Sequence, residues 1–254
     1  MSLSFVQADY SVDDLLAAKA GATVSVCLPA RNEETTVRAI VRAIDRELVV
    51  PGLVDEVVVV DDGSVDTTAS AAASAGARVV PSVGGPGKGQ AMRTGLAATS
   101  GSVVVFCDAD LYEFDAGFIV GLVGPLLTRP EVQFVKGFYR RPFGDRPDEG
   151  GRVTELVARP MLELLCPHLA HIVQPLGGEY AGRRAAFESV AFVDGYGVDV
   201  GLLIDISRRF GVDHVAQVDL GVRLHRNRPL HQLVPQAKAV MATVLDRAGV
   251  DVGQ

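Results

Sequence analysis

The first half of the chain alternates short apolar runs with stretches whose apolar residues repeat at helical spacing. Four apolar runs predict strands, at 24–28, 57–60, 78–81 and 103–107. Three intervening stretches predict helices, at 33–48, 66–75 and 90–98. The four consecutive valines at 57–60 are typical of a parallel strand that is covered on both faces. Strands that alternate with helices predict an α/β fold with a mostly parallel sheet.

After Asp110 the alternation of predicted strands and helices is less regular but continues. We expect further elements in this order: a helix near 115–127, a strand near 132–136, a polar loop at 140–151, a helix at 152–165 and a strand at 218–224. No linker, internal repeat or low-complexity tract separates them from the first half. The sequence therefore predicts one continuous domain over residues 1–254, whose halves are about 22–135 and about 136–254.

Composition and charge narrow the class of protein. The chain has 254 residues, of which 48% are apolar, and this fits a globular domain rather than a disordered chain. The formal net charge of −7 argues against a protein that binds nucleic acid or an anionic membrane. The three cysteines have no metal-ligand spacing, and we expect Cys27 and Cys107 to be small buried side chains.

We expect no signal peptide at the N-terminus. Residues 1–20 have neither a basic start nor a continuous apolar core, so they do not resemble a signal peptide. No run approaches the ~20 apolar residues of a membrane-spanning helix. We therefore expect a cytoplasmic protein.

Polar residues after each apolar run are the candidates for ligand binding, because open parallel sheets bind ligands at the carboxyl ends of their strands. Asp108-Ala109-Asp110 follows the fourth predicted strand. Two carboxylates at this spacing can share a hard divalent cation with the phosphates of a nucleotide. The same tripeptide also occurs in ordinary turns, but its place in this strand order favours a metal site.

Asp61 and Asp62 follow the valine strand in the same way. An acidic side chain at this position can accept hydrogen bonds from a nucleobase or a ribose hydroxyl. The alternative is a turn that caps the next helix. Both interpretations hold together if Ser64 or Asp66 caps the helix and leaves the two aspartates free.

The glycine-rich segment 84–89 carries Lys88 near the start of a predicted helix. It is not a P-loop, because that motif needs glycine where the chain has Ser82, and Ser or Thr where it has Gly89. A lysine at a helix start still suits an anionic ligand. We expect Lys88 to contact a phosphate or nucleotide, with a solvated loop as the alternative.

A polar turn follows the first predicted strand. Its backbone groups, at Pro29, Ala30 and Arg31, can approach a base or a ribose, and Glu33 or Glu34 can hold a hydroxyl. The alternative is an acidic first helical turn that complements the helix dipole, with Asn32 as its N-cap.

These turns, in this order, resemble those of the GT-A glycosyltransferase fold. Four segments of the second half are more specific: Gly151–Leu156, Gln174–Ala181, Gly195–Asp199 and His225–Pro229. Together they resemble the actinobacterial glucosyl-3-phosphoglycerate synthases, which are retaining enzymes related to the mannosyl-3-phosphoglycerate synthases. The resemblance extends from about Val24 to about Ala248.

The resemblance implies roles for particular residues. It implies that the nucleotide sugar is bound by the turns of the first half: Pro29, Ala30, Arg31, Glu33, Asp61, Asp62, Lys88, Asp108 and Ala109. It implies that the substrates are bound further by residues of the second half: Gly151, Arg152, Thr154, Gly178, Tyr196, Arg223 and Asn227. It also implies Mg2+ or Mn2+ held by Asp110 and His225 beside Asp108, with Asp110 and Asp199 as catalytic residues.

Two of these roles have simpler alternatives. His225 can be an ordinary surface histidine, and residues 152–165 can form an exposed amphipathic helix. An arginine at a helix N-terminus is nevertheless a sound anion site on physical grounds.

The chain departs from the family pattern at several positions. Asp199 stands where the family usually has Glu, which moves the carboxylate oxygens by about 1 Å and weakens a sugar contact unless the site adjusts. Asp62 stands where mycobacterial members usually have Ser. The ends are short and the loop after Arg141 is trimmed, so the oligomeric state is open, with a homodimer expected on family grounds.

The resemblance implies transfer of glucose from UDP-glucose to 3-phosphoglycerate with retention of configuration. The alternatives are a mannosyl transferase that uses GDP-mannose and a transferase with another small or lipid phosphate acceptor. A sugar nucleotidyltransferase would need a glycine-rich basic loop where the turn at Pro29 stands. A non-catalytic sugar-nucleotide-binding protein would bind nucleotide without turnover.

Overall fold

The computed structural model describes residues 3–141, 151–223 and 229–251. Within them, one sheet has the strand order β1-β8-β6-β7-β5-β2-β3-β4. The strands are β1 Leu3–Val6, β2 Val24–Ala30, β3 Glu56–Asp61, β4 Arg78–Pro81, β5 Val103–Phe106, β6 Phe134–Arg140, β7 Tyr180–Arg183 and β8 Val215–Val222. The helices are α1 Val12–Ala18, α2 Val37–Ile44, α3 Thr68–Ala73, α4 Lys88–Ala98, α5 Gly117–Thr128, α6 Arg159–Leu165, α7 Arg184–Glu188, α8 Val198–Phe210 and α9 Leu230–Arg247.

The predicted α/β fold with a mostly parallel sheet is confirmed. Among the described strands, β7 alone runs antiparallel to its neighbours, β5 and β6. Neither β7 nor β1 was expected from the sequence, because each has four residues and neither contains a continuous apolar run. The sheet interleaves strands from both halves of the chain, since β8 and β6 lie between β1 and β7.

The predicted helix at 33–48 begins later than its sequence pattern suggests. Asn32 does not cap it: its φ is 57°, and its Oδ1 accepts a hydrogen bond from the Val65 amide at 2.9 Å. The α-helix starts at Val37 and continues as π-helical turns over Asp45–Val49. Asn32 therefore ties the first turn to the second, and both are held at the carboxyl edge of the sheet.

Apolar layers cover both faces of the sheet, because successive side chains of a strand point to opposite faces. Val57 and Val59 pack on one face with α2 and α5, whereas Val58 and Val60 pack on the other with α4 and α8. Helix α4 approaches β2 closely at Gly95, where a Cβ atom would lie 2.2 Å from the Cys27 sulfur. Cys27 and Cys107 are buried, as expected, and both thiols are free.

The helices of the described residues are shorter or more polar than a membrane span requires. Over residues 3–141, 151–223 and 229–251, no helix is long and apolar enough to cross a bilayer.

Candidate active site

The carboxyl ends of the parallel strands open into a cavity of about 650 Å³. Most of the residues singled out in the sequence line it: Pro29, Ala30, Arg31, Glu33, Asp62, Lys88, Asp108, Ala109, Asp110, Gly151, Arg152, Thr154, Tyr196, Asp199 and Arg223. The cavity thus collects side chains from both halves of the chain, which are far apart in sequence.

Two of the expected residues that the structure describes, Asp61 and Gly178, are not among those that line this cavity. Asp61 ends β3, and its Oδ1 accepts a hydrogen bond from the Ser64 amide at 3.3 Å. Gly178 lies behind Asp108, where a Cβ atom would come within 2.3 Å of both carboxylate oxygens. His225 and Asn227 fall outside the described residues.

Asp108 and Asp110 follow β5, and a buried guanidinium bridges them. Arg223 Nη2 lies 3.1 Å from Asp108 Oδ2 and 2.9 Å from Asp110 Oδ1. Burial alone would raise the pKa of Asp108, but the charges of Lys88 and Arg223 outweigh burial and hold that pKa below its ordinary value. The Asp108 carboxylate is therefore charged at neutral pH.

Lys88 is the first residue of α4 and joins two carboxylates from distant segments. Its Nζ lies 3.1 Å from Asp108 Oδ1 and 3.0 Å from Asp199 Oδ2. Burial would lower the pKa of Lys88, yet the two aspartates raise it above its ordinary value. Lys88 is thus a fixed cation at the centre of the cavity.

The loop before Lys88 is shaped by Asp62, which is not free as expected. The Gly87 amide donates to both Asp62 oxygens, at 3.0 and 2.9 Å. Gly87 has a φ of 144°, a conformation that side-chain-bearing residues rarely adopt. The helix that follows Asp62 is α3, and Asp66 Oδ1 accepts a hydrogen bond from the amide of its first residue, Thr68, at 3.0 Å. Asp62 therefore directs the glycine loop, and only part of its carboxylate faces the cavity.

Asp199 lies in the first turn of α8 and is 3% exposed. Its Oδ1 accepts a hydrogen bond from the Tyr180 hydroxyl at 3.0 Å, while its Oδ2 contacts Lys88. Asp199, whose side chain is shorter than the Glu usual in the family, is thus held by Tyr180 on one oxygen and by Lys88 on the other.

Arg223 is positioned by groups that sequence reasoning missed. Its Nη1 lies 2.9 Å from Glu179 Oε2, and the Tyr139 hydroxyl donates to the same oxygen at 2.7 Å. Arg223 and Arg141 also donate to the Tyr139 hydroxyl. Burial raises the pKa of Glu179, and the Arg223 charge opposes that shift. Glu179 lies in the segment Gln174–Ala181 that carried the family resemblance, but its role follows only from these tertiary contacts.

The far wall of the cavity is built around a helix start. The Glu155 amide donates to the Gly151 carbonyl at 3.1 Å, so helical hydrogen bonding begins at Gly151, whose φ is 78°. Thr154 is buried, and Arg152 faces the cavity nearby. The wall is completed by α9, which sequence analysis did not implicate, through Gln232, Leu233 and Gln236. The first amides of a helix and an arginine favour an anion.

A metal centre is incomplete in the part of the chain that the structure describes. Over residues 3–141, 151–223 and 229–251, no group of three or more His, Cys, Asp or Glu side chains is arranged to hold a metal ion. Asp108 and Asp110 are oxygen donors of the kind that Mg2+ and Mn2+ prefer.

Comparison with known proteins gives the family. Residues 25–189 match the family model described as glycosyl transferase family 2. The chain is 51% identical to a glucosyl-3-phosphoglycerate synthase of Mycolicibacterium smegmatis, over 97% of this chain and 84% of that protein. It is 43% identical to that of Petrotoga mobilis, over 88% of this chain and 73% of that protein.

A solved structure shows the same fold with ligands bound. The glucosyl-3-phosphoglycerate synthase of Mycobacterium tuberculosis, in complex with Mn2+, UDP-glucose and phosphoglyceric acid, matches with a TM-score of 0.89 and 50% identity, over 96% of this chain and 86% of that chain. The resemblance found in the sequence is thereby confirmed. The chain belongs to glycosyl transferase family 2, and within it to the group of the glucosyl-3-phosphoglycerate synthases.

Proposed function

We propose that this protein transfers glucose from UDP-glucose to 3-phosphoglycerate, giving glucosyl-3-phosphoglycerate. One observation carries the proposal: a single cavity is lined both by the Asp108 and Asp110 carboxylates and by Arg152 and Thr154 at a helix start. The first pair suits a metal-bound nucleotide, and the second suits an anionic acceptor. Relatives at about 50% identity, one of them solved with donor and acceptor together, support this assignment.

The donor set fits a divalent cation. Asp108 and Asp110 supply hard oxygen ligands, and His225 is the proposed third ligand; related structures contain Mn2+ or Mg2+ with UDP. When bound, such an ion offsets the negative charge that develops on the departing diphosphate.

The residues of the first half hold the donor. The turn at Pro29–Glu33 and Asp61 would contact the base and ribose, with Asp62 shaping the loop that presents Lys88. Lys88 and Arg223 are cations beside Asp108, and in this role they stabilise negative charge on the diphosphate. Asp199, held by Tyr180 and Lys88, is the proposed contact to a glucose hydroxyl.

The residues of the second half hold the acceptor. Arg152, the Gly151 amide and Thr154 would bind the phosphate and carboxylate of 3-phosphoglycerate, assisted by Tyr196 and Asn227. The acceptor hydroxyl is then held beside the anomeric carbon. We propose that it attacks from the face that the diphosphate leaves, which retains configuration. In this arrangement residues 22–135 serve the donor and residues 136–254 the acceptor, except that Asp199 and Arg223 of the second half also contact the donor.

Two properties of the whole protein follow from family grounds. We expect it to act in the cytoplasm, where 3-phosphoglycerate and UDP-glucose are both present, and to form a homodimer. Light scattering on the purified protein measures the oligomeric state directly.

The function is tested by a product assay. UDP-glucose and GDP-mannose are supplied separately with Mn2+ or Mg2+, and nucleoside diphosphate release is measured with and without 3-phosphoglycerate. We expect acceptor-dependent UDP release and a glucosylated product whose anomeric configuration, read by NMR, matches that of the donor. Release that ignores 3-phosphoglycerate would contradict the acceptor assignment, and release from GDP-mannose alone would contradict the donor.

A further inference from the structure

Lys136 is a charged side chain in the middle of the sheet. It lies on β6 and is 1% exposed, with Tyr180 of β7 and Gln217 of β8 as its partners in register. Phe134, two residues earlier on the same face of the strand, is a fully buried apolar side chain. A buried charge is costly unless its partners compensate for it, so a lysine here needs a reason that an apolar residue would not supply.

The ammonium group of Lys136 makes two short-range contacts. Its Nζ donates to the Gly177 carbonyl at 2.6 Å and lies 4.4 Å from the centre of the Tyr180 ring. A cation over the face of an aromatic ring is attracted to it. Burial lowers the pKa of Lys136 to about 8, against the opposing influence of Asp199, so the group is mostly protonated at neutral pH.

Both contacts lead to a carboxylate of the candidate active site. Gly177 precedes Gly178, whose Cα backs directly onto the Asp108 carboxylate. The Tyr180 hydroxyl donates to Asp199 Oδ1 at 3.0 Å. Lys136 itself lines no part of the cavity.

The segment that Lys136 holds is tied to β6 at a second point. Gly137, the residue after Lys136, donates its amide hydrogen to the Glu179 carbonyl at 2.9 Å. Glu179 lies two residues after Gly177, which accepts from the Lys136 side chain. Gly178 is thus fixed between two hydrogen bonds to the same strand. A shift of this turn would move the atoms that support Asp108 from behind.

We propose that Lys136 is a positioning residue for sugar transfer, which fixes the Gly177–Gly178 turn behind Asp108 and the Tyr180 ring beneath Asp199. It acts through these two groups and does not touch substrate. The kinetic test of this proposal rests on the proposed function, because it measures sugar transfer to 3-phosphoglycerate. The proposal also predicts weaker nucleotide binding, which can be measured without the acceptor.

The test compares Lys136→Met with Val135→Ala as a matched control. Methionine has a similar volume without the charge, but it leaves the Gly177 carbonyl without its donor, so K136M is expected to lower the Tm. V135A shortens a fully buried side chain of the same strand that packs on the opposite face of the sheet from Tyr180. It is expected to lower the Tm as well and to leave kcat within threefold of the wild type.

The kinetic result separates positioning from simple packing. For K136M we expect kcat to fall about 10- to 100-fold, because misplacing reacting groups by about 1 Å costs up to about 10²-fold, while KM for 3-phosphoglycerate stays within threefold. A kcat within threefold of the wild type overturns the proposal. If K136M does not fold, Lys136→Gln, which keeps a donor near Gly177 but no charge, is judged by the same two limits.

Calorimetry with Mn2+ and UDP separates a failure of the Lys136 proposal from a failure of the proposed function. K136M is expected to bind Mn2+–UDP at least threefold more weakly than the wild type, and V135A is expected to bind it as tightly as the wild type. If the wild type binds Mn2+–UDP but does not act on 3-phosphoglycerate, the proposed function fails, and the binding comparison alone decides the role of Lys136. If K136M and the wild type then bind Mn2+–UDP with equal affinity, the proposed positioning role of Lys136 is overturned.

Discussion

Arg223 bridges the two carboxylates that are proposed to hold a divalent cation: its Nη2 lies 2.9 Å from Asp110 Oδ1 and 3.1 Å from Asp108 Oδ2. Its second amino group is held by buried Glu179, so the guanidinium spans three carboxylates. A divalent cation bound by the same two aspartates would repel the guanidinium, because like charges repel at short distance. We therefore expect metal binding to weaken the contacts of Arg223 Nη2 while Glu179 retains the other amino group.

Asp110→Asn is expected to weaken Mn2+-dependent UDP binding at least about tenfold, or about 1.4 kcal/mol. The amide keeps the shape of the side chain but removes the charge that binds the cation. The Asp110 side chain is 30% exposed, so the Tm should change little. Calorimetry with Mn2+ and UDP measures the affinity. Glu113→Gln, an exposed change outside the cavity, is the control, and equal affinity in D110N would rule out Asp110 as a ligand.

Lys88→Met is expected to reduce kcat about 10²- to 10³-fold, the effect typical of removing one preorganised group that stabilises developing charge. The variant also leaves Asp108 and Asp199 without their shared cation. Steady-state assays of UDP release measure the kcat of the variant. Lys238→Met on the exposed side of α9 removes a lysine elsewhere and should leave kcat unchanged. A K88M enzyme within threefold of the wild type would contradict a role for this cation in transfer.

Gly178→Ala is expected to lower kcat/KM about 10²-fold, because the added methyl would lie 2.3 Å from both Asp108 oxygens and must displace the carboxylate. Gly121→Ala adds a methyl at another buried glycine, on α5, where the nearest atom is a Val218 methyl at 3.1 Å. Steady-state kinetics on both variants should show a loss for G178A alone. Wild-type activity in G178A would mean that Asp108 tolerates displacement.

Glu56 provides a pH-dependent contribution to stability away from the cavity. Burial would raise its pKa, but hydrogen bonds from Ser25, Arg78 and Ser100 lower it to about 2 from 4.5. A carboxyl whose folded pKa is depressed stabilises the fold above its unfolded pKa, and loses that contribution as pH falls through the folded value. The stability difference between wild type and Glu56→Gln should therefore be constant above about pH 5 and shrink between pH 4.5 and about 2.

Urea unfolding at a series of pH values measures this difference. The kcat of E56Q should equal that of the wild type, since Glu56 begins β3 at the opposite edge of the sheet from the cavity. A stability difference that stays constant down to pH 2 would contradict the depressed pKa.

The strands β2, β3 and β5 of the first half were predictable because each is a largely buried, apolar run, whereas β4 is partly exposed and was indicated by its two valines. β4 begins and ends where the pattern predicted, and β2, β3 and β5 differ at their ends by two residues or fewer. β7 was not predictable from local pattern. Its residues Tyr180-Ala181-Gly182-Arg183 carry no period, and the strand forms because β5 and β6 flank it on both sides.

The candidate site was predictable where a polar residue directly follows a strand, as at Asp108 and Asp110. It was not predictable where a side chain acts through tertiary contacts. Asp62 was expected to be free for ligand, but it accepts two hydrogen bonds from Gly87, which is 25 residues away. Tyr139, Glu179 and Lys136 became recognisable only once strands distant in sequence were placed side by side.

The reversed direction of β7 determines where substrate preference can be redesigned. At the parallel strands that contribute to the cavity, the lining residues lie at or after the carboxyl end of the strand. At β7 they come before it, because Tyr180 pairs with Phe106 at the carboxyl end of β5. Libraries aimed at a different substrate should therefore vary the approach to this strand at Leu176, which lines the cavity, whereas the Arg183 end of the strand leads directly into α7 at the opposite edge of the sheet.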